Sequence, residues 1–258
     1  MALLEIRNVG IYFGGLRAVH DLNVTLEGGE LLGLIGPNGA GKTTVFNMVC
    51  GFYRPTTGEI TFDGHPIIGC RTHQVTALGI ARTFQSIRLW NNLTVFQNLC
   101  IAQHNRLGYG FLDAILHSRS YRTHEKRVFR ASDELLELLG LHHYADEYPK
   151  NLPYGLQRRV EIGRALAVRP KMLLLDEPAA GMNPNEAEQL IELIRWIRQQ
   201  FQVTIWLIEH QMRVVMGLCE WIKVLDFGET IAEGTPDQVR QNPRVIQAYL
   251  GDEGPGHA

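Results

Sequence analysis

A glycine-rich segment at residues 36–43 reads GPNGAGKT and fills every fixed position of the P-loop pattern G-x-x-x-x-G-K-[ST]. The apolar stretch at residues 30–35 predicts a strand before it, and residues 42–49 predict a helix after it. In this setting the loop N–H groups and the positive end of the helix together can hold a triphosphate. The segment therefore predicts a site for ATP or GTP within an α/β fold.

The residue types within the P-loop fit this task. Glycines at 36, 39 and 41 let the backbone approach phosphates closely, because they carry no Cβ. The Lys42 ammonium group can reach the β- and γ-phosphates, and the Thr43 hydroxyl can ligate Mg²⁺. The predicted nucleotide-binding residues of the loop are Gly36, Pro37, Asn38, Gly39, Ala40, Gly41, Lys42, Thr43 and Thr44.

The composition argues against several other classes of protein. A formal net charge of −2 over 258 residues disfavours general nucleic-acid binding, which usually needs a basic surplus. Apolar runs stay short of the roughly 20 residues that span a bilayer, and the first residues lack a signal-peptide pattern. The 4 cysteines are scattered without metal-site spacing. We therefore expect a cytoplasmic protein with reduced thiols, which meets a membrane only through a partner.

Hydrophobic periodicity divides the chain into parts. Period-two alternation predicts strands at the N-terminal end, and from residue 171 apolar strands alternate with amphipathic helices. The predicted fold is α/β. Residues 1–92 with 171–250 form the predicted nucleotide-binding core, which has a mostly parallel sheet and includes an antiparallel N-terminal β subdomain. Residues 93–170 show helical spacing and predict a helical insertion. Residues 251–258 lack core-forming side chains and predict a disordered tail.

A second motif, MLLLDEP at residues 172–178, places two acids directly after an apolar strand. In open α/β sheets, ligands bind at the carboxyl ends of the strands. Asp176 is therefore placed to hold Mg²⁺, and Glu177 is placed to polarise the water that attacks a phosphate.

Together these motifs resemble the nucleotide-binding subunit of ABC transporters, over about residues 3–250. The resemblance implies that Gln85 in ARTFQ is a switch glutamine that senses Mg²⁺ and water. It implies that His210 in LIEH contacts the γ-phosphate, and that Phe13 stacks on adenine, with Tyr12 as the neighbouring alternative. The implied ligands are ATP and Mg²⁺, the metal being held by Thr43, Gln85 and Asp176.

The segments ARTFQSIRLWNNLTVFQNL, DEPAAGMNP and AYLG resemble the branched-chain amino-acid uptake ATPases. This resemblance implies an importer powered by ATP-driven closure of a head-to-tail dimer, made with a sister subunit or a second copy. It further implies two membrane permease subunits, a periplasmic or extracellular solute-binding protein, and a place on the inner face of the cell membrane. An ABC ATPase for another solute, such as urea or an exported lipid, stays open. So do a soluble non-transport ABC ATPase and a regulatory module with little turnover.

The chain departs from the family at its signature, Leu-Ser-Gly-Gly-Gln, which reads Leu152-Pro153-Tyr154-Gly155-Leu156 here. In relatives this loop contacts the γ-phosphate held by the opposite subunit, so residues 152–155 are expected to bind nucleotide. Pro153 removes a hydroxyl and an N–H, and Leu156 removes an amide. Each hydrogen bond lost to a charged group costs about 1.5–3 kcal/mol. With an intact signature on a sister subunit, the site of Lys42 and Glu177 would be the stronger of the two.

Further segments have two interpretations each. Residues 226–228 spell the kinase metal motif Asp-Phe-Gly, yet a hairpin turn explains them, since other kinase motifs are missing. The arginine-rich stretch 119–130 fits a solvated helix face, or a contact with anionic headgroups. Ile87, Leu89 and Trp90 fit a core position, or a groove for a permease helix.

Overall fold

Strands and helices alternate along the chain and group into two units, residues 1–82 with 171–258 and residues 83–170. The computed structural model describes residues 2–106 and 109–250. The tail predicted at residues 251–258 lies outside the described residues.

Each element is named by its order in the chain. The strands are β1 (Ala2–Phe13), β2 (Leu16–Glu27), β3 (Leu31–Ile35), β4 (Thr57–Phe62), β5 (His65–Pro66), β6 (Ile80–Arg82), β7 (Met172–Asp176), β8 (Thr204–Ile208), β9 (Trp221–Asp226) and β10 (Glu229–Gly234). The helices are α1 (Lys42–Val49), α2 (Thr72–Leu78), α3 (Val95–Ala102), α4 (Phe111–Ile115), α5 (Arg119–Leu138), α6 (Tyr154–Ala167), α7 (Pro184–Phe201), α8 (Met212–Leu218), α9 (Pro236–Arg240) and α10 (Pro243–Leu250).

The first unit contains two β-sheets. An antiparallel sheet has the strand order β2-β1-β4-β5, and a second sheet has the order β10-β9-β3-β8-β7-β6. Neighbours in the second sheet are parallel except for β10, which pairs with β9 in the antiparallel sense. The predicted mostly parallel core with an antiparallel N-terminal β subdomain is confirmed.

The register of the parallel strands gathers three strand ends at one edge of the sheet. Leu34 pairs with Ile208, and Asp176 pairs with the same Ile208 from the other side. The segments that follow β3, β7 and β8 therefore start side by side, and the P-loop is one of them. These strands are buried on both faces, which explains why their sequences are continuously apolar.

Local sequence signals set the ends of the elements around this sheet. Asn183 caps α7 by accepting hydrogen bonds from the N–H groups of Asn185 and Glu186, and Pro184 occupies the first helical turn. The β9–β10 hairpin turns at Phe227 and Gly228, whose φ values are 44° and 80°. The interpretation of residues 226–228 as a hairpin turn is confirmed.

The second unit is mainly helical, and its described residues include no strand. Helix α3 packs against α5 and α6, and α5 buries Val128, Leu135 and Leu136. The basic side chains of α5 are exposed, as a solvated helix face requires; they are Arg119, Arg122, Lys126, Arg127 and Arg130.

The boundary of the helical unit differs from the prediction. The sequence put it at residue 93, whereas the second unit starts at Thr83. Residues 83–92 form bends and turns whose backbone bonds to side chains of the second unit. Arg158 donates to the carbonyl oxygen of Phe84 at 2.8 Å, and Asn98 exchanges hydrogen bonds with the backbone of Trp90. A pattern of apolar residues cannot reveal such side-chain-to-backbone bonds.

Candidate functional site

The P-loop adopts the left-handed backbone that its glycines allow. The φ values of Gly36, Gly39 and Gly41 are 147°, 81° and 100°. A Cβ on Gly36 would lie 2.0 Å from the carbonyl oxygen of Leu225, and one on Gly41 would lie 2.5 Å from that of Ala18. Glycine is therefore required at these two positions because the loop lies close to the protein's own backbone. The sequence had suggested a close approach to phosphate as the reason.

Lys42 begins helix α1, and its side chain is buried against the loop. Its Nζ donates to the carbonyl oxygens of Gly36 at 2.6 Å and Pro37 at 2.8 Å. Thr43 follows in the first helical turn and is exposed, and Thr44 is half-buried. The loop thus places a lysine cation at the positive end of a helix, an electrostatic setting that favours an anion.

The two acids after β7 occupy different environments. Asp176 is buried at the strand end, and Glu177 has a φ of 45° while its N–H donates to the carbonyl oxygen of Ile208 at 2.9 Å. A non-glycine residue in this conformation is strained, and the bond to β8 helps to hold it. The Nδ1 of His210 lies 3.7 Å from the Oε2 of Glu177. The structure therefore brings these two candidate catalytic residues together.

Glu209 is a functional candidate that sequence reasoning missed. Its side chain is fully buried, and its Oε1 accepts from the N–H of Ala179 at 2.9 Å. Its Oε2 accepts from the N–H groups of His210 at 3.0 Å and Gln211 at 3.2 Å. One carboxylate thus ties the segment after Glu177 to the segment that carries His210. Its place directly after an apolar strand, like that of Glu177, was a usable signal.

Arg82 is a second residue that the motifs did not indicate. It ends β6 next to β7, and its guanidinium donates to the Oδ2 of Asp176 at 2.7 Å and to the Oδ1 of Asn47 at 2.7 Å. Burial raises the pKa of the Cys50 thiol to about 11, although interaction with Arg82 acts to lower this pKa.

The two aromatic candidates for stacking on adenine, Tyr12 and Phe13, lie at the end of β1 in different surroundings. Phe13 is exposed, and its ring lies edge-on to Tyr53 with centroids 5.3 Å apart. The hydroxyl of Tyr12 is hydrogen-bonded to the Nδ1 of His20 at 3.2 Å. The exposed ring of Phe13 offers the better stacking surface for a base.

Gln85 lies in the second unit, in the segment at 83–92. Its carbonyl oxygen accepts from Arg158 at 3.0 Å, and the same buried guanidinium pairs with Glu161 at 2.5 Å. Glu161 also accepts from the N–H of Phe84 at 3.2 Å. Burial raises the pKa of Glu161, although Arg158 opposes this shift. The backbone at Gln85 is therefore fixed by a buried ion pair on α6.

The variant signature forms the start of α6. Leu152 is buried, Pro153 has an extended ψ of 151°, and Tyr154 is the first helical residue. Pro153 thus occupies the N-cap position of α6. Its carbonyl oxygen accepts from the N–H groups of Leu156 and Gln157, both at 3.0 Å. Its ring has no oxygen with which to accept from the first helical N–H groups, the part a serine would play.

The apolar residues after Gln85 are not all alike. Ile87 and Leu89 are half-buried, whereas Trp90 is 55% exposed. A core position is therefore excluded for Trp90 within its own chain, and its groove interpretation stays a prediction.

Comparison with known proteins decides the family. The family described as ABC transporter matches residues 19–180, and the one described as branched-chain amino acid ATP-binding cassette transporter matches residues 229–255. The chain belongs to the ABC transporter family. Relatives of this ABC ATPase include the high-affinity branched-chain amino acid transport ATP-binding proteins BraF of Pseudomonas aeruginosa and LivG of Escherichia coli strain K12. They are 44% and 45% identical over 250 residues, which cover 97% of this chain and 98% of each relative.

A solved structure agrees with this assignment. The ADP conformation of MJ1267, an ATP-binding cassette of an ABC transporter, superimposes with a TM-score of 0.85 at 31% identity, covering 97% of this chain and 99% of that one. The ABC ATPase described here therefore binds ATP and hydrolyses it in a reaction coupled to transport. The resemblance inferred from its motifs is confirmed.

Proposed function

We propose that this ABC ATPase powers the import of branched-chain amino acids. The support comes from the names of its relatives, which are transport proteins for these solutes, and from the match of its C-terminal residues to the corresponding family. The observation that carries the catalytic part is the meeting of the P-loop, Glu177 and His210 at one edge of the sheet.

The P-loop residues 36–44 are proposed to hold the phosphates of ATP, with Phe13 against the adenine. The cation of Lys42 bonds to carbonyl oxygens of its own loop, and phosphate oxygens are stronger acceptors for it. Mg²⁺ prefers oxygen ligands, which the Thr43 hydroxyl and the Asp176 carboxylate supply. These residues fit the metal, which neutralises phosphate charge when bound. The role expected for Gln85 at the metal stays a prediction.

Glu177 and His210 are proposed to act on the attacking water and the γ-phosphate. The Glu177 carboxylate can accept a proton from water, because its side chain is partly open to solvent at the end of β7. His210 is half exposed and lies beside it, so its ring can donate to a phosphate oxygen. Glu209 is proposed to hold the backbone of His210 in place for this contact.

The proposed partners follow from the family's mode of action. Two ATPase chains, this one with a sister subunit or with a second copy, are proposed to close head to tail on ATP, so that residues 152–155 of each face the nucleotide of the other. Two permease subunits would bind this pair at the inner face of the membrane, and a solute-binding protein would deliver solute from outside. Within the described residues, the helices are too short or too polar to cross a bilayer themselves.

Uptake of labelled leucine into vesicles that contain the whole transporter tests the proposal. We expect Lys42→Ala and Glu177→Gln to abolish uptake, while Glu188→Gln, at an exposed ion pair with Arg213, leaves it unchanged. ATP-dependent uptake of urea without leucine would assign a different solute. Full leucine uptake by Glu177→Gln would contradict the catalytic assignment.

A further inference from the structure

The buried ion pair between Arg82 and Asp176 joins the ends of two neighbouring strands. Arg82 pairs in register with Leu174 of β7, so its side chain reaches the carboxylate two residues further along. The Nη2–Oδ2 distance is 2.7 Å, and the two side chains are 6% and 5% exposed. A carboxylate buried to this degree is costly unless a cation balances it, and Arg82 supplies that cation.

The guanidinium is itself held from the other side by α1, the helix that begins at the P-loop. Its Nη1 donates to the Oδ1 of Asn47 at 2.7 Å, and its central carbon lies 5.6 Å from the centre of the Phe46 ring. These contacts fix the direction of the planar group, so it presents its second nitrogen to Asp176. Arg82 therefore links the helix of the P-loop to the carboxylate proposed as a metal ligand.

Arg82 and Asp176 together carry no net charge. The guanidinium neutralises the buried carboxylate of Asp176, so the ion pair forms a neutral group. A bare divalent cation gains little from such a neutral group, because Arg82 repels it from the carboxylate it would need. A cation that arrives with a triphosphate brings its own negative charge and is not excluded in this way.

We propose that Arg82 is a positioning and charge-balancing residue for Asp176, which prevents this carboxylate from binding a divalent cation without nucleotide. This inference rests on the proposed role of Asp176 as a metal ligand. Arg82 thus makes metal binding depend on ATP, and it keeps the Asp176 carboxylate oriented while the site is empty of metal.

Binding of Mn²⁺ alone, followed by electron paramagnetic resonance without nucleotide, tests the proposal. We expect Arg82→Gln to bind Mn²⁺ at least about tenfold more tightly than the natural protein, because a repelling charge has been removed from a buried carboxylate. The double variant Arg82→Gln/Asp176→Asn should lose this binding. Arg198→Gln, which removes a different arginine–carboxylate pair with Glu220, should bind Mn²⁺ as the natural protein does.

A second variant covers the case in which Arg82→Gln does not fold. Asn47→Ala keeps the charge of Arg82 and removes the contact that orients it, so Mn²⁺ affinity should rise in the same direction by a smaller factor. Equal Mn²⁺ affinity in the natural protein and the folded variants would overturn the proposal. A failure of the natural protein to bind Mn²⁺ together with ATP would instead count against the proposed nucleotide and metal site, so the two failures are distinguishable.

Discussion

Glu209 bonds to the backbone of two segments, the one that follows Glu177 and the one that carries His210. Its carboxylate accepts from three N–H groups, those of Ala179, His210 and Gln211, and is fully buried. Because it touches two separate segments, it couples the position of His210 to the chain that follows Glu177. Both of its oxygens already accept hydrogen bonds from backbone N–H groups, so we expect Glu209 to hold the backbone in place and not to act on a ligand.

Glu209→Ala should lower both stability and turnover. We expect a loss of about 2–4 kcal/mol in the free energy of unfolding, because buried N–H groups lose their acceptor. Urea unfolding measures this loss, and phosphate release should fall while the Kd for ATP changes little. Glu188→Ala, at an exposed pair, should cost less than about 1 kcal/mol. Equal effects of the two substitutions would contradict the bracing role.

The buried thiol of Cys50 should make stability fall at alkaline pH. Burial raises its pKa from 9.0 to about 11 in the folded protein. As the pH rises, the thiol ionises in the unfolded chain before it ionises in the folded protein. The contribution of the buried thiol to the free energy of unfolding is therefore fully present below pH 9 and is lost between about pH 9 and pH 11. The loss is about 2–3 kcal/mol. The free energy of unfolding, measured in urea from pH 8 to 10.5, should decline less steeply with pH for Cys50→Ala than for the natural protein. Parallel declines would exclude ionisation of Cys50 as the cause.

At this scale the motifs predicted some residues and could not predict others. Lys42, Thr43 and Asp176 stand at fixed positions relative to a strand end, so the sequence alone indicated them. Arg82 was not predictable, because its partners Asn47 and Asp176 lie 35 and 94 residues away along the chain. The pairing of β6 with β7 brings Arg82 to Asp176, and the position of α1 brings Asn47 to Arg82.

Among the elements, the first part of the segment at residues 83–92 is held by one ion pair of α6. Arg158 and Glu161 bind the carbonyl oxygens of Phe84 and Gln85 and the N–H of Phe84. The segment lacks a ladder of its own, so these side chains take the place of one. Its conformation therefore depends on a helix more than sixty residues away in sequence.

Arg158→Met should release this segment. Without the guanidinium, the buried Glu161 carboxylate loses the cation that pairs with it directly, and we expect a loss of about 3–5 kcal/mol in the free energy of unfolding. Hydrogen exchange of the Phe84 and Arg88 amides should accelerate, because both N–H groups donate to the Glu161 carboxylate. Arg159→Met, one position along the same helix at a partly exposed site, is the matched control. Unchanged amide protection in Arg158→Met would show that other contacts hold the segment.

Regular elements were more predictable than this segment. Helix α1 runs over the predicted residues 42–49, and β3 and β7 follow the predicted apolar runs. A continuous apolar run fits a strand that is buried on both faces, and a P-loop is normally preceded by a strand and followed by a helix. Strand β1 continues to Phe13 because it pairs with β2 as far as Leu16, whereas its pairing with β4 ends at Gly10.

At the scale of the whole molecule, the proposed dimer can be tested by mass. Glu177→Gln should retain ATP, and light scattering with Mg-ATP should show twice the monomer mass if the variant signature closes a pair of identical chains. A persistent monomer that binds ATP would indicate an obligate sister subunit. In that heterodimer, Glu177→Gln should remove most turnover, because this site receives the partner's signature. Greater damage from the equivalent change in the partner would contradict this asymmetry.

The central claim is that ATP binds at the P-loop and that Glu177 carries its hydrolysis. The most direct measurement compares ATP affinity and phosphate release of the assembled transporter for the natural protein, Lys42→Ala and Glu177→Gln. We predict that Glu177→Gln keeps its ATP affinity and loses phosphate release by about 100-fold or more, and that Lys42→Ala loses affinity itself. Phosphate release by Glu177→Gln at the natural rate would contradict the account.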